Sequence, residues 1–318
     1  MESTQSLKKR IKSVANINKI TKAMELVAAT KMRKSQEVAL ASRPYAFVAL
    51  DLLSSLTLLD KSLKLPIPEL LKQRRVKKVL FVLVSSDKGL AGSFNSSVFK
   101  KFEQHMERDK EKFKNEEKFF VAVGEKSFNY LSKKGFPVLK KFAQVGDHTT
   151  PEQIEPITSL IVNGYLEKKW DRVIIVSMHF RSALKQEPHV RRILPVDFEH
   201  IKETMEKIVP ETGKFSEFRQ GLTLSESLVK NNIRDYLIEP SSKVVLEDLA
   251  KHLLFMQIYH LILEANAAEH SARRMAMKTA SDNASELGEE INLQYNKVRQ
   301  ANITKEIIEI VAGSEALQ

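Results

Sequence analysis

From Ser242 to Ala312 the chain has no proline and a single glycine, Gly288. No other feature constrains the fold so strongly. Pro240 precedes this run, Ser241 and Ser242 are ready N-caps, and Gly313 follows it, which are the residue types that start and stop helices. As a helix rising about 1.5 Å per residue, the run spans roughly 105 Å. A compact domain built from 318 residues is far narrower, because domain radius grows only slowly with length. Most of such a rod must project from the core of its own chain, and something else has to cover it.

The N-terminus offers one cover. Residues 3–43 contain no glycine or proline. Leu7, Ile11, Val14, Ile17, Ile20, Met24 and Val27 recur at spacings of three and four, which predicts one apolar helical stripe. Lysines and arginines such as Lys8, Lys12, Lys19, Lys31 and Lys34 fill much of the remaining surface. Pro44 is expected to bend this helix without ending it, since Tyr45–Leu59 is again apolar and helix-compatible. Leu65-Pro66-Ile67-Pro68 reads as the true break. The C-terminal rod carries Ala265, Ala267, Ala268, Ser271, Ala272, Ala276, Ala280 and Ala284, small side chains that admit a close partner helix. The N-terminal rod is the natural partner, so the two termini are expected to form an antiparallel two-helix coiled coil.

Between the rods the pattern changes to strands. Val76–Ser85, Phe119–Val123, Val138–Phe142, Arg172–Ser177 and His189–Val196 are β-branched and apolar. Helical segments fall between them, near Ser97–Phe113, Lys126–Lys134 and Pro151–Lys169. Strands alternating with helices predict a mostly parallel sheet covered on both faces, a small doubly wound, Rossmann-like α/β domain. The expected organisation is an N-terminal helix over 1–60, an α/β domain over 76–200, a connecting segment over 201–240 and a C-terminal helix over 241–318.

Charge and composition exclude several classes. Net charge is +11, concentrated in residues 1–45, which hold ten Lys/Arg against three acids; residues 244–318 hold seven against eleven. Such a basic rod is either a solvated face or the mate of an anionic partner, whether nucleic acid or an acidic protein surface. With no cysteine, disulfides, thiolate catalysis and Cys-type zinc sites are impossible. Met1–Gln5 lacks the apolar core of a signal peptide. Leu253–Ala268 is broken by Gln257, His260 and Glu264 and is too short and polar to span a bilayer, so any membrane association is expected to be indirect.

Candidate chemistry is sparse. Ser85–Asn95 links a strand to a helix through Gly89 and Gly92, where a phosphate could sit at the helix N-terminus, but the three-glycine dinucleotide spacing is missing. Gly124-Glu125-Lys126-Ser127 falls short of a phosphate-binding P-loop. The eight histidines show no metal-ligand spacing, and His252, His260 and His270 read as packing or surface residues. No catalytic, cofactor or metal residue is assigned.

Both termini resemble the γ subunit family of F-type ATP synthases. The resemblance lies in KKRIKSVANINKITKAMELVAATKMRK over residues 8–34 and in Ala268-Glu269-His270-Ser271-Ala272-Arg273, followed by Ala276-Met277-Lys278 and Ser281-Asp282-Asn283-Ala284. It continues in Tyr295-Asn296-Lys297-Val298-Arg299-Gln300 and the closing stretch Ile303–Ser314, and in Ser86-Asp87-Lys88-Gly89-Leu90-Ala91-Gly92 after the first strand. Ser314 stands where the family usually has alanine and Ala91 where it often has cysteine. Residues 57–75 and 200–235 match poorly, and the cysteine-bearing insert of chloroplast forms is absent.

That resemblance implies a rotor shaft inside a ring of α and β subunits. Its α/β foot would join the ε subunit and the c-ring of the membrane sector, coupling ring rotation to the catalytic cycle of β. It implies that Lys22, Met24, Glu25, Arg299, Gln300, Thr304 and Glu306 face β, and that Tyr236 and Glu239 meet the c-ring. Met24 could equally serve coiled-coil packing, and Arg299 and Gln300 a solvated face. It implies no cofactor, no nucleic acid and no catalysis by this chain. The expected location is the cytoplasmic face of a bacterial plasma membrane, because the family helix follows directly on Met1. Two other classes remain to be weighed. A basic coiled coil that binds nucleic acid would show steeply salt-dependent DNA binding, and a nucleotide-dependent α/β enzyme would be protected by nucleotide against melting.

Overall fold

Among the described residues, strands and helices follow the expected alternation. The computed structural model describes residues 3–41, 68–108, 116–146, 149–196, 239 and 241–315. In chain order these form α1 (Thr4–Ala41), a 3-10 turn (Glu69–Leu71), β1 (Lys78–Val84), α2 (Phe94–Arg108), β2 (Glu117–Val123) and α3 (Glu125–Lys133). They continue with β3 (Val138–Phe142), α4 (Pro151–Leu166), β4 (Arg172–Phe180), β5 (Gln186–Leu194) and α5 (Ser242–Glu315). The expected bend at Pro44, the continuation over Tyr45–Leu59 and most of the connecting segment lie outside the described residues. The chain divides into two compact units, Met1–Ala28 with Arg273–Gln318, and Ala29–Ala272. Both long helices contribute to each.

In the second unit the strands lie in the order β3-β2-β1-β4-β5. β1 to β4 run parallel, and β5 is antiparallel to β4. The central strand β1 is KVLFVLV, the continuous apolar run that burial on both faces demands. Its pleat divides it between two cores. Leu80, Val82 and Val84 join Ile154, Ile157 and Ile161 of α4 and the Leu246–Ala265 stretch of α5. Val79, Phe81 and Leu83 join Phe94, Val98 and Phe102 of α2 and Leu131 of α3. On that second face Phe81 meets Phe102 edge-on at 5.9 Å and stacks on Phe120 at 5.8 Å.

Strand boundaries differ from the sequence reading by one to three residues in β1, β2, β4 and β5, and two of the differences have a clear physical reason. β4 continues past Ser177 to Phe180 because His179 is buried with a partner, which an apolar-run criterion cannot see. β5 begins at Gln186, three residues early, because a half-exposed edge strand needs no apolar run.

In the first unit α1 and α5 run antiparallel. The Asn18 amide Nδ2 donates to Ser285 Oγ at 2.7 Å, and Ser281 Oγ donates to Asn18 Oδ1 at 2.7 Å. Nearer the start of α1, a Cβ added to Gly288 would stand 3.7 Å from Val14 Cγ1. Partners on α5 thus fall in number as those on α1 rise. The less exposed positions on α1 include Leu7, Ile11, Val14, Asn18, Thr21, Glu25 and Ala28; on α5 they include Met277, Ser281, Ala284, Gly288, Ile291, Tyr295 and Val298. Both sets step by alternating fours and threes, the heptad seam of a coiled coil.

This seam corrects the expected stripe. Beyond Val14 the apolar Ile17, Ile20 and Val27 are 51%, 59% and 53% exposed, whereas their polar or small neighbours Thr21, Glu25 and Ala28 are buried and Asn18 is half-buried. A strict seven-residue period selects 18, 21, 25 and 28 after 14, and Asn18 is satisfied there by two serines. The small residues of α5 are also divided differently. Ala265 joins the first core, Ala267 and Ala268 the second, where Met32 of α1 also packs, and Ser271 Oγ donates to Ala183 O at 2.7 Å. Much of the stripe expected to receive α1 alone therefore packs on the sheet domain.

Candidate functional site

The helix pair presents the expected contact residues in different ways. Lys22 is exposed, and its Nζ lies 2.9 Å from Glu25 Oε2; Glu25 occupies a seam position at 8% exposure, and Met24 is half-buried. Arg299, Gln300, Thr304 and Glu306 are all exposed, with Thr304 Oγ1 donating to Gln300 O at 2.9 Å. Glu239 is exposed, and Tyr236 lies outside the described residues.

The reason for exposure at 299–306 is geometric. Alignment of Val14 with Gly288 places Thr4, the first residue of α1, level with Val298. Beyond Val298 no residue of α1 remains to cover α5. The heptad positions that would continue the seam there are Asn302, Lys305 and Glu309, all polar. The apolar residues lie on an adjacent face: Ile303 is 48% exposed, Ile307 56% and Ile310 72%. Ile17, Ile20, Leu26 and Val27 on α1 are exposed as well, and clustered apolar side chains left at the surface mark a candidate contact site. These residues were missed as a site because hydrophobicity at helical spacing reads first as core. The signal that finds them is the heptad period itself, which excludes them from the seam.

At the carboxyl ends of β1 and β2, where doubly wound sheets bind phosphates, the chain places its own carboxylate. Asp87 Oδ1 accepts the Glu125 amide at 3.0 Å and Oδ2 accepts the Gln144 amide at 2.9 Å. Ser86 and Asn95 close the loop through Asn95 Nδ2 donating to Ser86 Oγ at 2.7 Å. A fixed negative charge holding these amides disfavours an incoming phosphate.

A buried ionic cluster ties the edge of the sheet to α5. Glu264, 4% exposed, takes Arg191 of β5 at 3.2 Å and the His179 ring of β4 at 2.9 Å. Burial pushes the Glu264 carboxyl upward, but the Arg191 guanidinium and His179 outweigh it and hold it below the ordinary range. His189, whose ring centroid lies 5.1 Å from that of His179, is lowered to about 4. Burial is the main cause and the Arg191 and His179 charges add to it, against opposition from Glu187. Its folded value is below the ordinary 6.5, so between those values the unfolded chain binds more protons and stability falls as pH falls. Glu264 adds a loss only further down, as pH drops through its own lowered range. We expect the urea midpoint to drop between pH 7 and pH 4.5 by the equivalent of about 1–2 kcal/mol after screening of the partly exposed ring. His189→Asn should flatten that slope; an unchanged slope would refute the assignment. Among the described residues, no group of three or more His, Asp or Glu side chains is arranged to hold a metal, and no helix is long and apolar enough to cross a membrane.

Comparison with known proteins agrees with this architecture. A family model described as ATP synthase matches residues 3–317. The ATP synthase gamma chain of a Roseiflexus species is 36% identical over 318 residues, covering 100% of this chain and 99% of that relative. The gamma chain of Chlorobium limicola is 33% identical over 320 residues, covering 100% of both. The chain belongs to the ATP synthase gamma chain family. A cryo-EM structure of Euglena gracilis mitochondrial ATP synthase comprising OSCP, F1 and c-ring shares the fold, with a TM-score of 0.58 at 15% identity over 99% of this chain and 94% of that one.

Proposed function

We propose that this chain is the central rotor shaft of a proton-translocating F-type ATP synthase. It would couple rotation of a c-ring to the conformational cycle of catalytic β subunits. The observation that carries the reading is the end of α5 beyond Val298, a helix with exposed isoleucines that no other described residue covers, on a chain related over its full length to gamma chains. A ring of α and β subunits covers that surface. The two sides of the pair differ, basic and apolar along α1 and mildly acidic along α5, so each orientation offers each β subunit a different set of contacts. A contact changes a site only through differential affinity for its conformations, and three unlike faces hold three β sites in unlike states.

In this reading Arg299, Gln300, Thr304 and Glu306 contact β directly. Lys22 does so from α1, Glu25 positions the Lys22 ammonium, and Met24 supports the seam beside them. Glu239 and Tyr236 belong to the foot that meets the c-ring, and the ε subunit joins the α/β unit. The ATP chemistry belongs to β. This chain has no catalytic site of its own and needs no cofactor, consistent with the carboxylate of Asp87 lying where a nucleotide phosphate would bind. It works at the cytoplasmic face of a bacterial plasma membrane as a peripheral subunit. Co-expression with α and β subunits tests the proposal. ATP hydrolysis by the assembled hexamer should rise at least tenfold when this chain is present, and equal activity without it would count against the role.

A further inference from the structure

We propose that Asn18 sets the axial register of the helix pair. Its carboxamide is clasped between Ser281 and Ser285, and this fixes the height at which the exposed residues of α1 stand along α5. A heptad seam resembles itself every seven residues, so its apolar side chains alone tolerate a slide by one repeat, and a polar residue at a seam position removes that degeneracy. Asn18 stands at such a position, and both ends of its amide are used. Nδ2 donates to Ser285 Oγ and Oδ1 accepts from Ser281 Oγ, each at 2.7 Å. The other polar seam residues bond within α1: Thr21 Oγ1 donates to the carbonyls of Ile17 and Asn18, and Glu25 takes Lys22. Their bonds would survive a slide.

Neither neighbouring register reproduces the clasp. A slide of one repeat towards the free end of α5 exchanges Ser281 for Gly288, which has no side chain, and Ser285 for Asn292, so a polar partner remains on one side of the amide only and the two-sided clasp is lost. The opposite slide places Asn18 level with Arg274 and Lys278, which offer only donors and leave Nδ2 without an acceptor. Apolar contact favours many alignments; this amide favours one. The inference concerns the helix pair itself and holds whether or not the chain is a rotor.

The chain has no cysteine, so introduced pairs report alignment without background. Val14→Cys with Gly288→Cys reads the observed register. Val14→Cys with Tyr295→Cys reads a slide of one repeat, about 10 Å along the helix, which a disulfide cannot span without movement. In the full-length chain with Asn18 intact, oxidation should close the first pair and leave the second open. With Asn18→Leu, which fills the seam with an ordinary heptad residue, closure of the second pair should rise at least fivefold. The Ser281→Ala/Ser285→Ala variant removes the partners instead of the amide and should give the same rise. It also supplies the result if Asn18→Leu does not fold, with helical circular dichroism monitored throughout. Closure of the first pair alone, to an unchanged extent, in every folded variant would overturn the proposal.

Discussion

Arg191→Met is expected to lower the unfolding free energy by about 3–5 kcal/mol, the usual cost of leaving one partner of a buried ion pair uncompensated. Glu264 is 4% exposed, and among the described residues its Oε1 has no hydrogen-bond partner. Its charge is therefore held by the atoms around Oε2 alone, Arg191 at 3.2 Å and His179 at 2.9 Å. Methionine keeps much of the arginine stem and removes the charge, so the loss measures electrostatics more than packing. Arg191→Met with Glu264→Gln should recover most of it, because a neutral amide is far cheaper to bury than a lone carboxylate. Non-additivity of the two changes in urea denaturation at pH 7 is the diagnostic. A single variant within 1 kcal/mol of the parent, on the order of an exposed surface pair, would mean that the cluster does not hold α5 to the β4–β5 edge.

Gly124→Ala should cost about 4 kcal/mol, from backbone strain and forced displacement together. Gly124 has φ +95°, and an added Cβ would overlap the Ser85 carbonyl oxygen. Ser85 has little room to give way. Its amide donates to Val123 O at 2.8 Å, and its hydroxyl accepts the Ser127 amide at 2.6 Å. Gly124 is pinned as well, through its own amide to Phe142 O at 2.7 Å. Gly135 supplies the control: its φ is +76°, but nothing lies within 4 Å of an added Cβ. Gly135→Ala should therefore cost about 1 kcal/mol, the conformational part alone. Equal losses at the two sites would show that the close approach to Ser85 contributes nothing.

Much of the fold is legible in the residues because single elements carry strong periodic signals. KVLFVLV announces a central strand, and a proline-free run of over seventy residues ending at Gly313 announces a rod. What could not be read depended on partners distant in sequence. His179 and Glu264 are 85 residues apart, so each alone looks like an interruption of an apolar run instead of half of a buried pair. The seam was misread after Val14 for the same reason, since Ile17 and Ile20 outrank Asn18 and Thr21 in hydrophobicity. Only Ser281 and Ser285, more than 260 positions away, explain why Asn18 faces the seam. The apolar end of α5 was named through its polar residues Arg299, Gln300, Thr304 and Glu306, and its isoleucines became visible as surface once the end of α1 was located.

Direct observation of rotation tests the rotor reading most sharply. Ser132 of α3 is exposed, and in a chain without cysteine Ser132→Cys gives one attachment point for an optical probe. With the α and β ring immobilised and ATP supplied, the probe should turn in one direction, in discrete steps, and stop when ATP is exhausted. Sustained ATP hydrolysis by the assembled complex with the probe stationary would contradict the account.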